Sequence, residues 1–247
     1  MTRSGPDETA SGVTVPGADP RDRFKREAAV QAVADEVRDG MIVGLGSGTT
    51  AAFALQEIGR LVRDRGWRIR GVPTSEGAAA EARRLGIALT TLEETPDVTI
   101  DGADQVDPAL NLVKGGGGAH VREKVVALSS RRVAIVADSM KFVDRLRGPI
   151  PLEVLPFALP WLVRVLPDRV RGGAPRVRLQ EDGQPARSDN GNLLVDLMCP
   201  PLDDPAAVAA ELDGLPGIVG HGLFIGIADV AYLAGPGGLR CLRSGRR

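Results

Sequence analysis

Three carboxylates and a lysine follow one another in an order suited to moving a proton. Asp101 and Asp104 are the ends of an Asp-Gly-Ala-Asp run, and Lys114 stands directly before four consecutive glycines. Glu123 follows in the first turns of a helix predicted from about 120 to 130. Carboxylates can take and return protons, while an ammonium or backbone N–H groups can stabilise charge that develops on an oxygen. The pattern therefore indicates acid–base chemistry on an oxygenated substrate.

Simpler interpretations exist for each part of this pattern. Turn aspartates often only cap the backbone, and Glu123 taken alone fits a solvated helix carboxylate. The four glycines are harder to dismiss, because consecutive glycines carry a large entropic cost on folding. We expect a ligand to approach this backbone so closely that no Cβ fits. Gly115, Gly116 and Gly117 are therefore predicted to contact a ligand. Gly102 and Ala103, which lie between the two aspartates, are also expected to bind substrate.

A second glycine loop runs from Gly44 to Thr50. It has no lysine where a P-loop needs one, and Thr49 stands where the dinucleotide fingerprint needs its third glycine. The hydroxyls and amides of Ser47, Gly48, Thr49 and Thr50 suit a single phosphate monoester at a helix N-terminus. An ordinary strand–helix turn remains the alternative.

A further lysine, Lys141, follows Asp138 at the end of another apolar stretch. It could meet a phosphate or only pair with Asp138, and spacing does not distinguish the two. Taken together, these side chains are suited to shuttling a proton between adjacent carbons of a sugar phosphate. With only His120 and His221, and Cys199 far from Cys241, the sequence predicts neither a metal site nor a cofactor.

The elements that must position these residues alternate between strand and helix. Apolar runs end at Leu45, Val72, Ile100 and Ala137, and each is followed by a polar or glycine-rich cluster. Ligands of parallel sheets bind at the carboxyl ends of strands. The pattern therefore predicts an α/β fold, a Rossmann-like, mostly parallel sheet with helices on both faces.

The sequence predicts four segments that differ in composition and in predicted secondary structure. Residues 1–23 are expected to form a disordered leader, and 24–147, joined by a returning strand within 228–240, the α/β catalytic domain. Prolines crowd the start of 148–227, which we interpret as an interdomain crossing into a small α+β (ferredoxin-like) domain with few helices. Residues 241–247 are expected to be a flexible tail.

Composition excludes several classes of protein. The 31 Lys+Arg against 32 Asp+Glu give a net charge of −1, which argues against a nucleic-acid binder or a polybasic membrane-surface protein. The chain has neither a membrane-spanning apolar stretch nor a secretory signal, and its two cysteines are expected to be reduced thiols. These observations predict a cytoplasmic protein. Glycine is over-represented, at 31 of 247 residues, compared with the usual content of about 7%.

Several motifs in the same order closely resemble ribose-5-phosphate isomerases of the A type, over roughly 24–235. Those motifs are Gly44-Leu45-Gly46-Ser47-Gly48-Thr49-Thr50, Asp101-Gly102-Ala103-Asp104, Lys114-Gly115-Gly116-Gly117-Gly118, Arg122-Glu123-Lys124, Pro149-Ile150-Pro151-Leu152-Glu153-Val154, Ser188-Asp189-Asn190-Gly191-Asn192 and Gly217-Ile218-Val219-Gly220-His221-Gly222-Leu223-Phe224.

The resemblance implies a cofactor-free homodimer that interconverts ribose 5-phosphate and ribulose 5-phosphate in the non-oxidative pentose phosphate pathway. It implies that Glu123 is the proton-shuttling base and that Lys114 stabilises charge on the enediolate. Asp101 and Asp104 would assist ring opening and hold sugar hydroxyls. Residues 47–50 and Lys141 would bind substrate and phosphate, with Arg26 where the family tends to have a lysine.

The sequence departs from the family pattern at Gln105, His120 and Met140, and none of these changes deletes a proposed catalytic group. Two alternatives of other classes remain. One is a non-catalytic sugar-phosphate sensor, although the polar start of the chain is too short for a helix-turn-helix. The other is an acyl-CoA transferase-like enzyme, which would form a thioester on a glutamate.

Overall fold

The structure, a computed structural model, describes residues 21–245. The first half of the chain alternates helices with short, buried strands. Its elements are α1 (Asp22–Glu36), β1 (Ile42–Leu45), α2 (Gly48–Arg65), β2 (Arg70–Pro73), α3 (Glu76–Arg84), β3 (Ala88–Leu89), β4 (Val98–Gly102), β5 (Gln105–Val106), β6 (Leu112–Val113), α4 (His120–Ser129) and β7 (Val133–Asp138).

The second half forms a βαββαβ unit and then returns to the first sheet. Its elements are β8 (Ile150–Val154), α5 (Leu159–Arg169), β9 (Ala174–Val177), β10 (Leu193–Met198), α6 (Pro205–Asp213), β11 (Ile218–His221), β12 (Leu223–Phe224), β13 (Val230–Gly235) and β14 (Gly238–Arg243).

The larger sheet has seven strands in the order β14-β13-β7-β4-β1-β2-β3. All neighbours are parallel except β13 and β14. Helices α1, α2 and α3 pack on one face, against side chains such as Val136 and Tyr232. The opposite face, which includes Ile135 and Leu233, is covered by α4 and by the β5–β6–β12 sheet. The prediction of a Rossmann-like, mostly parallel sheet is confirmed.

The smaller sheet is antiparallel, with strand order β11-β8-β10-β9. With α5 and α6 it forms the βαββαβ arrangement of a ferredoxin-like unit, as predicted. Its core includes Leu152, Leu166 and Leu197, all fully buried or nearly so. The domain bounds 24–147 and 148–227 stay a prediction.

The smaller sheet meets the β5–β6–β12 sheet around Gly222. The N–H of Lys114 donates to the Gly222 carbonyl (2.8 Å), and the N–H of Gly222 donates to the Pro151 carbonyl (2.7 Å). A Cβ at this position would lie 2.1 Å from the Lys114 carbonyl oxygen, so only glycine allows this approach. The segment that carries Lys114 is therefore fixed by the smaller sheet.

The proline-rich segment is not a bare interdomain crossing. It forms strand β8, which lies between β11 and β10, and the start of α5. Pro160 stands in the first turn of α5, where a missing N–H removes no helical hydrogen bond.

The two chain ends also differ from expectation. Helix α1 begins at Asp22, so the last residues of the expected leader are helical, and residues 1–20 lie outside the described residues. Residues 241–243 are not a flexible tail, because β14 pairs with β13 through a hairpin that closes at the Gly235–Gly238 pair. Within residues 21–245, we find no helix with the length and apolarity to cross a membrane.

Candidate active site

A cavity of about 210 Å³ opens at the carboxyl ends of β1, β4 and β7. It collects polar clusters that are far apart in the sequence, as expected for a parallel sheet. Its lining includes nearly every residue predicted for the site: Ser47, Gly48, Thr49, Thr50, Gly102, Ala103, Asp104, Lys114, Gly115, Gly116, Gly117, Glu123 and Lys141. Arg21, Lys25 and Asp138 also line it, whereas Asp101 and Arg26 do not.

Lys114 is the centre of a buried ionic cluster beside this cavity. Its Nζ lies 3.0 Å from Asp101 Oδ2 and 3.2 Å from Glu123 Oε2, and it donates to the Gly102 carbonyl at 2.6 Å. All three charged side chains are at least nine-tenths buried. Two carboxylates thus share one ammonium at a site that is shielded from water.

Burial is the largest influence on the titration of Glu123. It raises the pKa of the carboxyl from the usual 4.5 to about 7, the negative charge of Asp101 adds to the rise, and Lys114 opposes it. Burial alone would lower the pKa of Lys114, but the two carboxylates raise it above its ordinary value. At neutral pH the cluster therefore combines a permanent cation with a carboxyl that readily gains or loses a proton.

Asp101 faces the protein rather than the cavity. Its Oδ1 accepts hydrogen bonds from the N–H groups of Ser47 (3.1 Å) and Gly102 (2.7 Å), and its Oδ2 pairs with Lys114. Gly46 packs so closely that a Cβ there would lie 2.2 Å from Asp101 Oδ1. Asp101 thus fixes Lys114 and joins the two loops that follow β1 and β4.

Asp104, in contrast, lines the cavity. Its Oδ2 accepts a hydrogen bond from the N–H of Gly116 (2.8 Å), which couples it to the glycine-rich turn. Asp107, the next carboxylate, is a structural cap, since its Oδ1 accepts from the N–H groups of Ala109 and Asn111. Of the two, only Asp104 is placed to touch a ligand.

The protein's own packing explains most of the consecutive glycines, and this corrects the expectation that a ligand excludes every Cβ. At Gly115 and Gly118 the φ angles are +101° and +81°, and a Cβ would meet the His120 ring and Leu194. At Gly116 it would approach the Asp104 carboxylate, at 2.9 Å. Only Gly117 has open space beside its backbone, on the cavity lining.

Three basic side chains also line the cavity. Lys141 follows β7, and α1 contributes Lys25 together with Arg21, which precedes it. Lys25 is mostly buried and lies 2.9 Å from Asp22 Oδ1. The N-terminus of α2 adds Thr49 and Thr50 to the lining, and a helix N-terminus is a favourable place for an anion.

The structure does not bring Arg26, which was predicted to bind substrate, to the lining of this cavity. Arg26 is exposed, and its guanidinium lies 4.6 Å from the centre of the Phe53 ring. Successive helical residues are about 100° apart, so neighbours face different surroundings. Lys25 is spaced with the buried Ala28 and Ala29 on the sheet-facing side of α1. That periodicity is the signal that could have identified it.

Ser47 is placed at the cavity with its hydroxyl already engaged. The Oγ lies 2.7 Å from Thr74 Oγ1 and 2.7 Å from Ser75 Oγ, in the segment that follows β2. These contacts connect the first glycine loop to the N-terminus of α3. The hydroxyls of Thr49 and Thr50 are therefore better placed than that of Ser47 to bind a ligand.

Comparison with known proteins gives a consistent result. The family model for ribose 5-phosphate isomerase A (phosphoriboisomerase A) matches residues 70–238. Ribose-5-phosphate isomerase A of Chloroflexus aurantiacus is 52% identical over 221 residues, covering 87% of this chain and 91% of the relative. The protein of that name from Natronomonas pharaonis is 51% identical over 208 residues, covering 83% and 90%.

Solved structures agree with these sequence relatives. Ribose 5-phosphate isomerase A from Methanocaldococcus jannaschii has a TM-score of 0.85 and 34% identity, covering 90% of this chain and 99% of that one. A D-ribose-5-phosphate isomerase in complex with phospho-erythronic acid has a TM-score of 0.86 and 33% identity, covering 90% and 98%.

Proposed function

Since the chain belongs to the ribose 5-phosphate isomerase A family, and is thus an aldose–ketose isomerase of ribose 5-phosphate and ribulose 5-phosphate, we propose that Glu123 carries the transferred proton. Family membership supports this activity over the sugar-phosphate sensor and the acyl-CoA transferase-like enzyme. The observation that carries the assignment is the buried Glu123 carboxyl, on the cavity lining and 3.2 Å from the Lys114 ammonium.

The reaction needs one base that works in both directions. Glu123 takes the proton from C2 of the open-chain aldose, and the electron pair moves into the C1–C2 bond while the C1 carbonyl oxygen becomes the negative oxygen of an enediolate. The proton of the C2 hydroxyl then passes to the C1 oxygen, and Glu123 returns its own proton to C1 as the C2 carbonyl forms. A carboxyl with a pKa of about 7 suits both steps, because neither of its protonation states is strongly favoured at neutral pH.

Lys114 acts in this scheme through its charge. Its ammonium already faces Gly102, Asp101 and Glu123, so its contribution to the enediolate is the electrostatic attraction of a fixed cation. Asp101 then has a different task from the one that the resemblance implies. We assign to it the positioning of Lys114, and to Asp104 the acid–base work of ring opening.

The cations on the cavity lining are proposed to bind the phosphate. Lys25, Arg21 and Lys141 supply positive charge, and the N-terminus of α2 supplies backbone N–H groups. The protein has a net charge of −1, so attraction of the anionic substrate depends on these local groups. The sugar carbons then extend toward Glu123 and the 115–117 turn.

We further infer that the protein works without a metal or cofactor, as a cytoplasmic homodimer of the pentose phosphate pathway. The pathway follows from the substrate pair. The proposed dimer rests on the family resemblance. The proposed cytoplasmic location is supported by the free thiols of Cys199 and Cys241, since the cytoplasm is a reducing compartment.

The test is conversion of ribose 5-phosphate to ketose by purified, EDTA-treated protein. We expect turnover by the wild type and a loss of about 10²- to 10⁴-fold in kcat for Glu123→Gln, with KM little changed. Glu181→Gln, an exposed control in the smaller sheet's hairpin, should match the wild type. Full turnover by Glu123→Gln would exclude Glu123 as the base.

A further inference from the structure

The glycine-rich turn is a β-turn whose central residues are both glycine. The N–H of Gly118 donates to the Gly115 carbonyl at 2.9 Å, which places Gly116 and Gly117 in the middle. Turns of types I and II differ mainly by a flip of the peptide between these two residues. Type II needs a positive φ at the second of them, and Gly117 does not have one. Without Cβ atoms, neither orientation is strongly preferred by the turn itself.

Arg178, which directly follows β9, contacts that central peptide. Its Nη1 donates to the Gly116 carbonyl at 2.9 Å and lies 3.4 Å from the Gly115 carbonyl. Its Nε and Nη2 face Asp196 of β10, at 3.1 and 2.5 Å. A two-point ion pair of this kind fixes the plane of a guanidinium. Arg178 therefore donates to this peptide from a position that Asp196 fixes.

Arg178 reaches the turn from outside the active-site cavity. It lines a neighbouring pocket together with Gly116, Gln105 and Asp196, and it is not among the residues that line the active site. The C=O and N–H of a trans peptide point in opposite directions. With the Gly116 carbonyl held toward Arg178, the N–H of Gly117 points away from Arg178.

The same residue also affects Asp104. Gly116 donates its N–H to Asp104 Oδ2 while its carbonyl accepts from Arg178. Rotation of the Gly116 backbone would therefore disturb both contacts. Arg178 is thus connected, through one glycine, to the carboxylate proposed for ring opening.

We propose that Arg178, oriented by Asp196, is a positioning residue that holds the 116–117 peptide with the Gly117 N–H facing the substrate and keeps Asp104 in place. This inference rests on the proposed function, in which the enediolate forms beside this turn. The N–H then serves as a preorganised donor to an oxygen that becomes negative in the transition state. The smaller sheet contributes to catalysis through this contact.

Ligand affinities of the intact protein test the proposal. Phospho-erythronic acid carries a carboxylate at the end where the enediolate charge develops, whereas erythritol 4-phosphate is a neutral polyol there. We expect Arg178→Ala to raise the Kd of phospho-erythronic acid by about 10- to 100-fold and to lower kcat by a similar factor. The Kd of erythritol 4-phosphate should rise by no more than about twofold. Arg178→Lys should recover part of both losses, and Asp196→Asn should give a smaller loss of the same pattern.

Arg187→Ala is the matched control. Arg187 lies in the same hairpin and also donates to a glycine carbonyl, that of Gly191 (2.7 Å), but away from the cavity. It should leave kcat and both affinities unchanged. Equal weakening of both ligands by Arg178→Ala, or no change in kcat, would overturn the proposal. If Arg178→Ala fails to fold, Arg178→Lys and Asp196→Asn decide by the same comparison.

Failure of this inference differs from failure of the proposed function. Loss of turnover in Glu123→Gln with normal turnover in the Arg178 variants would remove only the role of Arg178. Normal turnover in Glu123→Gln would instead remove the assigned base, whatever the Arg178 variants do.

Discussion

The Lys114 ammonium lies 3.2 Å from the Glu123 carboxylate, and both side chains are almost entirely buried. A buried ion pair normally favours the charged form of both partners. Here Asp101 shares the same cation, and desolvation outweighs the attraction at Glu123. The result is a carboxyl that changes its charge near neutral pH beside a lysine that does not.

The pH dependence of catalysis should follow Glu123. Its pKa of about 7 means that the carboxyl is mostly protonated below neutral pH and cannot accept the C2 proton there. We therefore expect kcat to rise with pH through about 7 and then level off. The measurement is kcat at saturating ribose 5-phosphate between about pH 5 and about pH 9. A kcat that is constant across this range would contradict the assignment.

Glu123→Gln should stabilise the protein at alkaline pH. Folding raises the pKa of Glu123, so the stability from the protonated form is complete below about 4.5 and is lost as pH rises through about 7. Glutamine stays neutral throughout. Calorimetry at about pH 8 should give the variant the higher Tm, and the gap should narrow as pH falls and close below about 4.5. A lower Tm for the variant at alkaline pH would contradict this prediction.

Lys25 and Arg26 should differ sharply when substituted. Lys25→Ala removes a cation from the cavity lining, so KM for ribose 5-phosphate should rise about tenfold or more, with a smaller change in kcat. Arg26→Ala removes an exposed neighbour that contacts Phe53, and KM should stay within about twofold. Inhibition by inorganic phosphate should weaken only in the Lys25 variant. Equal effects of the two substitutions would disprove this placement of the phosphate.

Two glycines should respond to alanine in opposite ways. In Gly46→Ala the new Cβ would lie 2.2 Å from Asp101 Oδ1 and 2.6 Å from its Cα, so we expect losses of both stability and kcat. In Gly77→Ala the new Cβ lies in α3, 3.8 Å from Ser75 Oγ, and stability should rise by up to about 1 kcal/mol. Denaturant unfolding measures both. A Gly46→Ala protein as stable as wild type would contradict the close approach.

The larger sheet was predictable because its strands are short apolar runs that end in polar clusters. Strand β8 and helix α5 were missed because prolines normally interrupt both kinds of element. Pro151 is tolerated in β8 because its carbonyl still accepts from Gly222, and Pro160 because it begins a helix.

The site was predictable to the level of residue clusters, since strand ends of a parallel sheet meet at one edge. Which member of a cluster faces the cavity was not. Asp101 and Asp104 accept from different N–H groups, among them those of Ser47 and Gly116, and only Asp101 pairs with Lys114. The contact between Arg178 and Gly116 joins two sheets and has no sequence spacing that could reveal it.

The return of the chain to the larger sheet makes the order of synthesis matter. Strand β13 pairs in parallel with β7, although residues 139–229, including the whole smaller sheet, lie between them. It also anchors α1, since the buried Tyr232 hydroxyl donates to Glu36 at 2.9 Å. A nascent chain that has not yet reached Tyr232 lacks this support for the helix that carries Lys25. Helix α1 must therefore wait for β13, a long-range closure that slows folding and makes a partly synthesised chain inactive.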